Sequence, residues 1–569
     1  MFDGQQQQQR GAKQSMNAKT AGYSRRANEG VEIRKSKAQG TLEKKRRQQS
    51  DNNLGDMDTS SLASTLTGPI DDPWSYNISS PTTSVPVGLL PNFVQLVNSS
   101  SIQDVHQGVM LIRKLLSVKE QAPIDQIVQS NVTPILIQCM MQTENPALQF
   151  EASWALSNIA AGSKDDTLHV LQTNAVPIWV QHFSSQDPDL VEQAAWAIGN
   201  IAGGGLDCRE YCVNSGALAA VLAVITGPLA EQHLPIMQNC VWALSNLCRF
   251  KPSLHIDAVT EAIPIALQLI TSANADLAFD ALWVVALISD GGEQYVDTIL
   301  DFSGALQSIV GMLSSQHPFC HLPALRTIGN ILCGTTFQMQ AAIQAGALEK
   351  IKLLLGARSS RIVRKEAMWT LANIAEAPPT HIDHLANSEM FPIIIEHMSA
   401  RETELAKEAI WAASNIAAHG SPQHLHHLVE CGLLGKLSGA LRGCMATESS
   451  VDVNLVVAIL ESVVTILEMG DVFAAEGSCA NAYIDMLKEQ GCDSIIESIS
   501  ETTRDDEIYT IAHHIVTAFF GGGAGARGGG GGGASGMTTS GSTSNLADMG
   551  NNSNGNVVNN NPDNGVFDF

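Results

Sequence analysis

Eleven cysteines are present, yet no Cys-x-x-Cys pair occurs among them. Cys139, Cys240, Cys248 and Cys333 fall inside apolar helical runs instead, which excludes a disulfide frame and points to buried thiols in a reducing compartment. Long apolar runs are also missing. The longest, Leu455 to Leu467, is interrupted by Glu461, and the amino terminus is Gln-rich, so neither a signal peptide nor a membrane span is expected. Signatures of catalysis are absent as well. The glycine runs at residues 203–205 and 521–533 follow no strand and are closed by no Gly-Lys-Ser/Thr, and there is no Gly-x-Ser-x-Gly elbow. His381/His384, His424/His426/His427, His513/His514 and His317-Pro-Phe-Cys320-His321 each lack a second cluster at ligand spacing, so they read as solvated or satisfied helix histidines. No catalytic residue, metal or cofactor is expected, and no segment reads as a strand.

Charge is distributed unevenly. The formal net charge is −24, but the first 50 residues hold 12 basic and 4 acidic side chains, which leaves 21 basic against 53 acidic in residues 51–569. A basic arm is therefore tethered to an acidic body. The arm alone would suit a nucleic acid, but the acidic body repels a polyanion, so no nucleic acid is expected as partner. Composition divides the chain into a basic arm (1–50), a linker rich in Ser, Thr, Pro and Asp (51–88), a helical body (89–520) and a Gly-, Ser- and Asn-rich tail (521–569). The arm, linker and tail have too few apolar residues to bury a core and are expected to be disordered, the arm when unbound.

Within the body one phrase recurs. It reads Trp154-Ala-Leu-Ser-Asn158, Trp196-Ala-Ile-Gly-Asn200, Trp242-Ala-Leu-Ser-Asn246, Arg326-Thr-Ile-Gly-Asn330, Trp369-Thr-Leu-Ala-Asn373 and Trp411-Ala-Ala-Ser-Asn415. Trp283-Val-Val-Ala-Leu287 is a copy without the Asn, and the seven copies are separated by 42, 46, 41, 43, 43 and 42 residues. A period of this size marks an all-α, right-handed solenoid of the armadillo or HEAT kind, and residues 89–520 have room for about ten such repeats. The offset of four places Trp and Asn one turn apart on one helix face. An Asn buried in every layer without a partner would cost roughly 1–3 kcal/mol each time, so an open surface ladder of indoles and amides is expected. Such a ladder suits an extended peptide rich in Lys and Arg. The amide holds the peptide's N–H and C=O, and successive indoles form slots for the alkyl stem and cation.

These residues resemble the importin-α family, the adaptors that carry proteins bearing nuclear-localisation signals, and the resemblance covers nearly all of residues 25–520. The stretch from Gly30 to Lys37, with Arg34, Lys35 and Lys37, followed by Leu42-Glu-Lys44-Lys45-Arg46-Arg47, looks like the family's importin-β-binding segment. In that family the segment docks on importin-β and, when free, its cluster occupies the adaptor's own groove. Gly40 interrupts the helix usual there, and Glu43 replaces an apolar residue. By resemblance the major signal site comprises Trp154, Asn158, Gly162, Thr167, Gln193, Trp196, Asn200, Asn239, Trp242 and Asn246. The family's Lys-pairing Asp is replaced by Gly204, which leaves Asp207 as its substitute. The minor site comprises Arg326, Asn330, Glu366, Trp369, Asn373, Glu408, Trp411 and Asn415. The segment from Gly491 to Phe520, with Glu507-Ile-Tyr509, resembles the repeat that meets the export receptor CAS with Ran.

The interrupted copies at Trp283 and Arg326 separate two intact ladders, which implies two pockets, and a cationic Arg326 would disfavour basic side chains between them. The resemblance implies an adaptor that shuttles between cytoplasm and nucleus, without membrane partner or enzymatic activity. A catenin-type armadillo scaffold is the alternative, but it gives no reason for an arm that mimics the groove's ligand.

Overall fold

The computed structural model describes residues 87–118, 122–445, 452–477 and 480–521, and among these there are helices and no strands. Ten inner helices form the spine: α1 (Ile102–Leu116), α2 (Pro146–Ala160), α3 (Pro188–Ala202), α4 (Leu234–Leu247), α5 (Ala275–Ser289), α6 (His321–Leu332), α7 (Arg361–Ala375), α8 (Thr403–His419), α9 (Val453–Gly477) and α10 (Asp506–Ile515). Each packs along the next, and one or more shorter helices fold back between successive members. The result is a solenoid, with its core running as one seam along the stack.

Local chemistry sets the punctuation. Pro146 and Pro188 open α2 and α3, where the missing N–H has no intrahelical acceptor to lose. Ser101, Asp187, Asn274 and Ser360 cap α1, α3, α5 and α7 by accepting from backbone N–H groups. The two short helices of a repeat meet at a residue of positive φ in eight places: Asn131, Asn174, Gly216, Gly304, Gly346, Glu389, Gly432 and Gly491. That turn is a second periodic signal, carried by backbone conformation rather than by a residue type.

α9 is long and apolar enough to span a membrane by length and composition alone. Most of its apolar side chains lie in the core instead, although Val472 and Phe473 near its end are exposed. Val456, Ile459, Leu460, Val463, Ile466 and Leu467 are fully buried, and the helix packs between α8 and α10.

Buried titratable groups limit the stable pH window from both sides. Burial lowers the pKa of His182, His381 and His419; the neighbouring His384 adds to the effect on His381, and backbone carbonyls partly offset it for His182 and His419. The unfolded chain binds protons on these imidazoles first, near a pKa of about 6.5. Stability is therefore complete above that value and falls as pH drops through it. Burial has the opposite effect on thiols, raising Cys139 and Cys320 to about 11 and Cys248 to about 12. Their unfolded thiols ionise earlier, so stability falls again as pH rises above about 8.5. Melting temperatures should form a plateau near neutral pH, and His182→Gln with His381→Gln should flatten its acid side. An unchanged acid limb would assign that loss to other groups.

Candidate functional site

The repeated phrases fall on α2 through α8, with each Trp or its substitute in the middle of a helix and each Asn one turn later. The residue before the Asn, or before Leu287 in the copy that lacks it, is small in every copy: Ser157, Gly199, Ser245, Ala286, Gly329, Ala372 and Ser414. In two layers the reason is direct. A Cβ on Gly199 would stand 2.2 Å from Cζ3 of Trp242, and one on Gly329 would stand 2.9 Å from Cζ3 of Trp369. The small residue is the seat of the indole of the next repeat.

The amides do not lie on an open surface, as the sequence led us to expect. Asn158 and Asn200 are fully buried, and Asn246, Asn330 and Asn373 are nearly so. Their partners lie one repeat upstream. Nδ2 donates to Ser117 Oγ from Asn158 (3.2 Å), to Ser157 O from Asn200 (3.3 Å), to Gly199 O from Asn246 (3.1 Å), to Ser289 Oγ from Asn330 (2.9 Å) and to Ala372 O from Asn415 (3.0 Å). The desolvation cost that argued for exposure is offset by a bond to the preceding helix. The acceptor half differs. Oδ1 of Asn246 and of Asn330 is buried without a hydrogen-bond partner among the described residues, as is Nδ2 of Asn373.

The indoles form the rest of each ladder. Trp154, Trp242, Trp283 and Trp369 are buried, whereas Trp196 and Trp411 are half-buried. The Trp196 and Trp242 rings are tilted, with centroids 6.2 Å apart. Arg326 forms an ion pair with Glu366, with its guanidinium carbon 6.0 Å from the Trp369 ring. Its charge is neutralised toward the second ladder, so it does not stand as a free cation between the two ladders.

The first ladder starts in the same way, with a copy whose marker residues are both exchanged. Arg113 on α1 lies 4.3 Å over the Trp154 ring and forms an ion pair with Glu151 at 2.6 Å. Arg113-Lys-Leu-Leu-Ser117 is thus a further copy, 41 residues before Trp154, with Arg for Trp and Ser for Asn. Each ladder opens on an Arg that pairs with a Glu and lies beside the first indole.

The remaining expected contacts are positioned by the repeat framework. Thr167 is buried and donates to the carbonyls of Ala160 and Ser163, both at 2.9 Å. Gln193 is buried and donates to Ser157 Oγ at 2.6 Å, and Asn239 donates to Glu192 at 3.4 Å. Gly162 lies in the turn after α2, and Glu408 is buried on α8. Asp207 is exposed in the first turn of Leu206–Asn214. At Gly204 a Cβ would meet Cγ2 of Thr167 at 2.6 Å, so the Thr167 methyl occupies the space that a side chain there would need. The basic residues Arg34, Lys35, Lys37, Lys44, Lys45, Arg46 and Arg47 lie outside the described residues.

Comparison with known proteins agrees with this architecture. The family model of the armadillo/beta-catenin-like repeat matches residues 120–161 and 163–203. A crystal structure of an engineered protein superposes with a TM-score of 0.64 at 23% identity, covering 76% of this chain and 99% of that one, a likeness of fold alone. Importin subunit alpha-1a of Oryza sativa subsp. japonica is 36% identical over 276 residues, which span 48% of this chain and 52% of the relative. Importin subunit alpha-4 of Arabidopsis thaliana is 32% identical over 498 residues, covering 86% of this chain and 87% of its own length. With that identity sustained over nearly the whole helical body, the chain belongs to the importin-α family.

Proposed function

We propose that this protein is a nuclear-import adaptor that binds Lys- and Arg-rich signals of cargo proteins along the Trp/Asn face and links them to importin-β through its basic arm. The observation that carries the reading is the split use of the amides. Each ladder Asn with a resolved partner gives Nδ2 to the solenoid, and at Asn246 the Oδ1 has no partner among the described residues; it is buried, so the N–H of an extended peptide reaches it only when the side chains over it move aside. Indole faces and the carboxylate of Glu408 then take the basic side chains, while Glu366 holds Arg326 beside the first indole of the second ladder. Two ladders make two pockets, the first around Trp154 to Asn246 and the second around Trp369 to Asn415.

The arm, with its excess of eight positive charges, competes for the same face. A tethered ligand acts at an effective concentration of about mM, so even a weak one masks the groove. Removing residues 1–50 should tighten a fluorescent Lys/Arg signal peptide by about tenfold in an anisotropy titration. Equal affinities would overturn the tethered competition, and no binding by either form would overturn the adaptor reading itself.

Return to the cytoplasm through the export receptor CAS with Ran is proposed for the last repeat. Tyr509 on α10 is 46% exposed and stacks on His513, with Glu507 in the helix's first turn. Ile508, Ala512 and Ile515 are buried. Truncation at Gly491 would therefore uncover core, and Tyr509→Ser is the cleaner test: export should fall while signal binding and melting temperature hold. Normal export of this variant would leave α10 as a cap of the stack.

A further inference from the structure

The two repeats between the ladders have no intact Trp/Asn phrase, but they carry an aromatic cluster of their own. Phe279 stands one turn before Trp283 on α5 and meets it edge-on, with centroids 6.3 Å apart. Phe319, from the short turn that precedes α6, meets Phe279 edge-on at 5.6 Å, and His317 lies 5.7 Å from Phe319. Phe319 is 44% exposed, and Phe279 is half-buried. The cluster is continuous with the ladder face because Trp283 occupies the ladder position of its repeat. The corresponding residue one turn before the ladder position is Glu192, Gln238, Lys365 or Lys407 in the other Trp repeats after the first. At Trp154 it is Phe150, which also packs edge-on but is only 9% exposed.

Three further facts define what this place would bind. Leu287 replaces the ladder Asn, so no amide is available there to hold a backbone. The nearby cation, Arg326, is engaged by Glu366 on the next helix. Trp283 is 3% exposed, and its Nε1 has no hydrogen-bond partner among the described residues, which leaves one buried donor beside the rings. The Phe279 and Phe319 rings are the apolar part of this place, with the buried carboxylate of Asp280 and the Trp283 donor on the same helix, and the rings suit an aromatic or aliphatic side chain.

We propose that Phe279, Phe319 and Trp283 form an apolar subsite that takes an aromatic or large aliphatic side chain from the linker of a two-cluster basic signal. The proposal rests on the reading of the Trp/Asn face as a peptide groove and refines its substrate class: the linker is read as well as spanned. A linker joining the two ladders crosses these repeats, because they lie between Trp242 and Trp369 in the stack. Signals with apolar linkers would be favoured over those with Gly/Ser linkers of equal length.

The test uses the full chain and fluorescent peptides with two fixed basic clusters. One has an all-Gly/Ser linker, and a set carries a single Phe at successive linker positions. On the wild type, one Phe position should tighten binding by about five- to tenfold over Gly/Ser. That gain should vanish in Phe319→Ser and survive in Phe337→Ser, a control at a residue that is 77% exposed. A single-cluster peptide should bind all three proteins equally. Equal affinity of every linker on the wild type, or a gain that survives Phe319→Ser, would overturn the subsite. Failure of the single-cluster peptide to bind at all would overturn the groove reading, and the subsite with it.

Discussion

Gly199→Ala should lower stability, although alanine is the better helix former. A mid-helix glycine costs roughly 0.5–1 kcal/mol relative to alanine, so substitution would ordinarily be stabilising. Here the new methyl would stand 2.2 Å from Cζ3, 2.6 Å from Cε3 and 2.8 Å from Cη2 of Trp242. The indole is 1% exposed and cannot retreat without moving α4. Overpacking of this kind costs about 1–3 kcal/mol, which exceeds the helix gain. Gly329→Ala, with its nearest contact at 2.9 Å from Trp369, should be milder. Gly439 has nothing within 4 Å, so Gly439→Ala should raise the melting temperature. Calorimetry on the three variants gives the order, and tryptophan emission reports the displaced ring. If Gly199→Ala melted as Gly439→Ala does, the glycine would not be the indole's seat.

The solenoid was legible because its signal is local and repeated. Trp-x-x-x-Asn lies within one helix, and a step of 41 to 46 residues is visible without knowledge of any contact. The two interruptions, Leu287 and Arg326, were legible for the same reason. The state of the amides was not. The acceptor of Asn200 is the carbonyl of Ser157 and that of Asn246 is the carbonyl of Gly199, groups that every residue possesses and that lie a full repeat upstream. Sequence therefore showed the cost of burial but not the bond that offsets it. The Arg113 copy was hidden because both of its marker residues are exchanged. Only the packing of Arg113 over Trp154, with Glu151 beside it, shows the equivalence to Arg326, Trp369 and Glu366. The small residue before each Asn is visible in the sequence, but its meaning depends on the indole of the following helix.

Asn246→Ala and Asn373→Ala should separate the structural role of the ladder from the ligand-binding role proposed for it. Asn246 donates to Gly199 O at 3.1 Å from a position 1% exposed, so its removal breaks a buried bond; the loss of its unpaired Oδ1 offsets part of this, and the net cost should be up to about 1 kcal/mol of stability. Asn373 occupies the same place in its own repeat and is 8% exposed, but its Nδ2 has no partner among the described residues. Truncating it breaks no bond of that donor and removes a buried unpaired group, so stability should hardly change. Binding should show a different pattern. Asn246→Ala should weaken a single-cluster and a two-cluster peptide alike, by about 1–3 kcal/mol for a desolvated amide contact. Asn373→Ala should spare the single-cluster peptide, proposed above to engage the first ladder, and remove most of the advantage of the two-cluster one. That advantage needs a linker able to span the stack. With helices about 8–10 Å apart, the ladder centres are roughly 40 Å apart, and a chain that advances at most about 3.3–3.6 Å per residue needs ten or more residues between its clusters. Calorimetry and anisotropy on both variants decide the matter. Equal melting losses would make Asn373 structural despite its unpaired donor, and equal losses of both peptides in Asn373→Ala would mean that the second ladder is not a separate pocket.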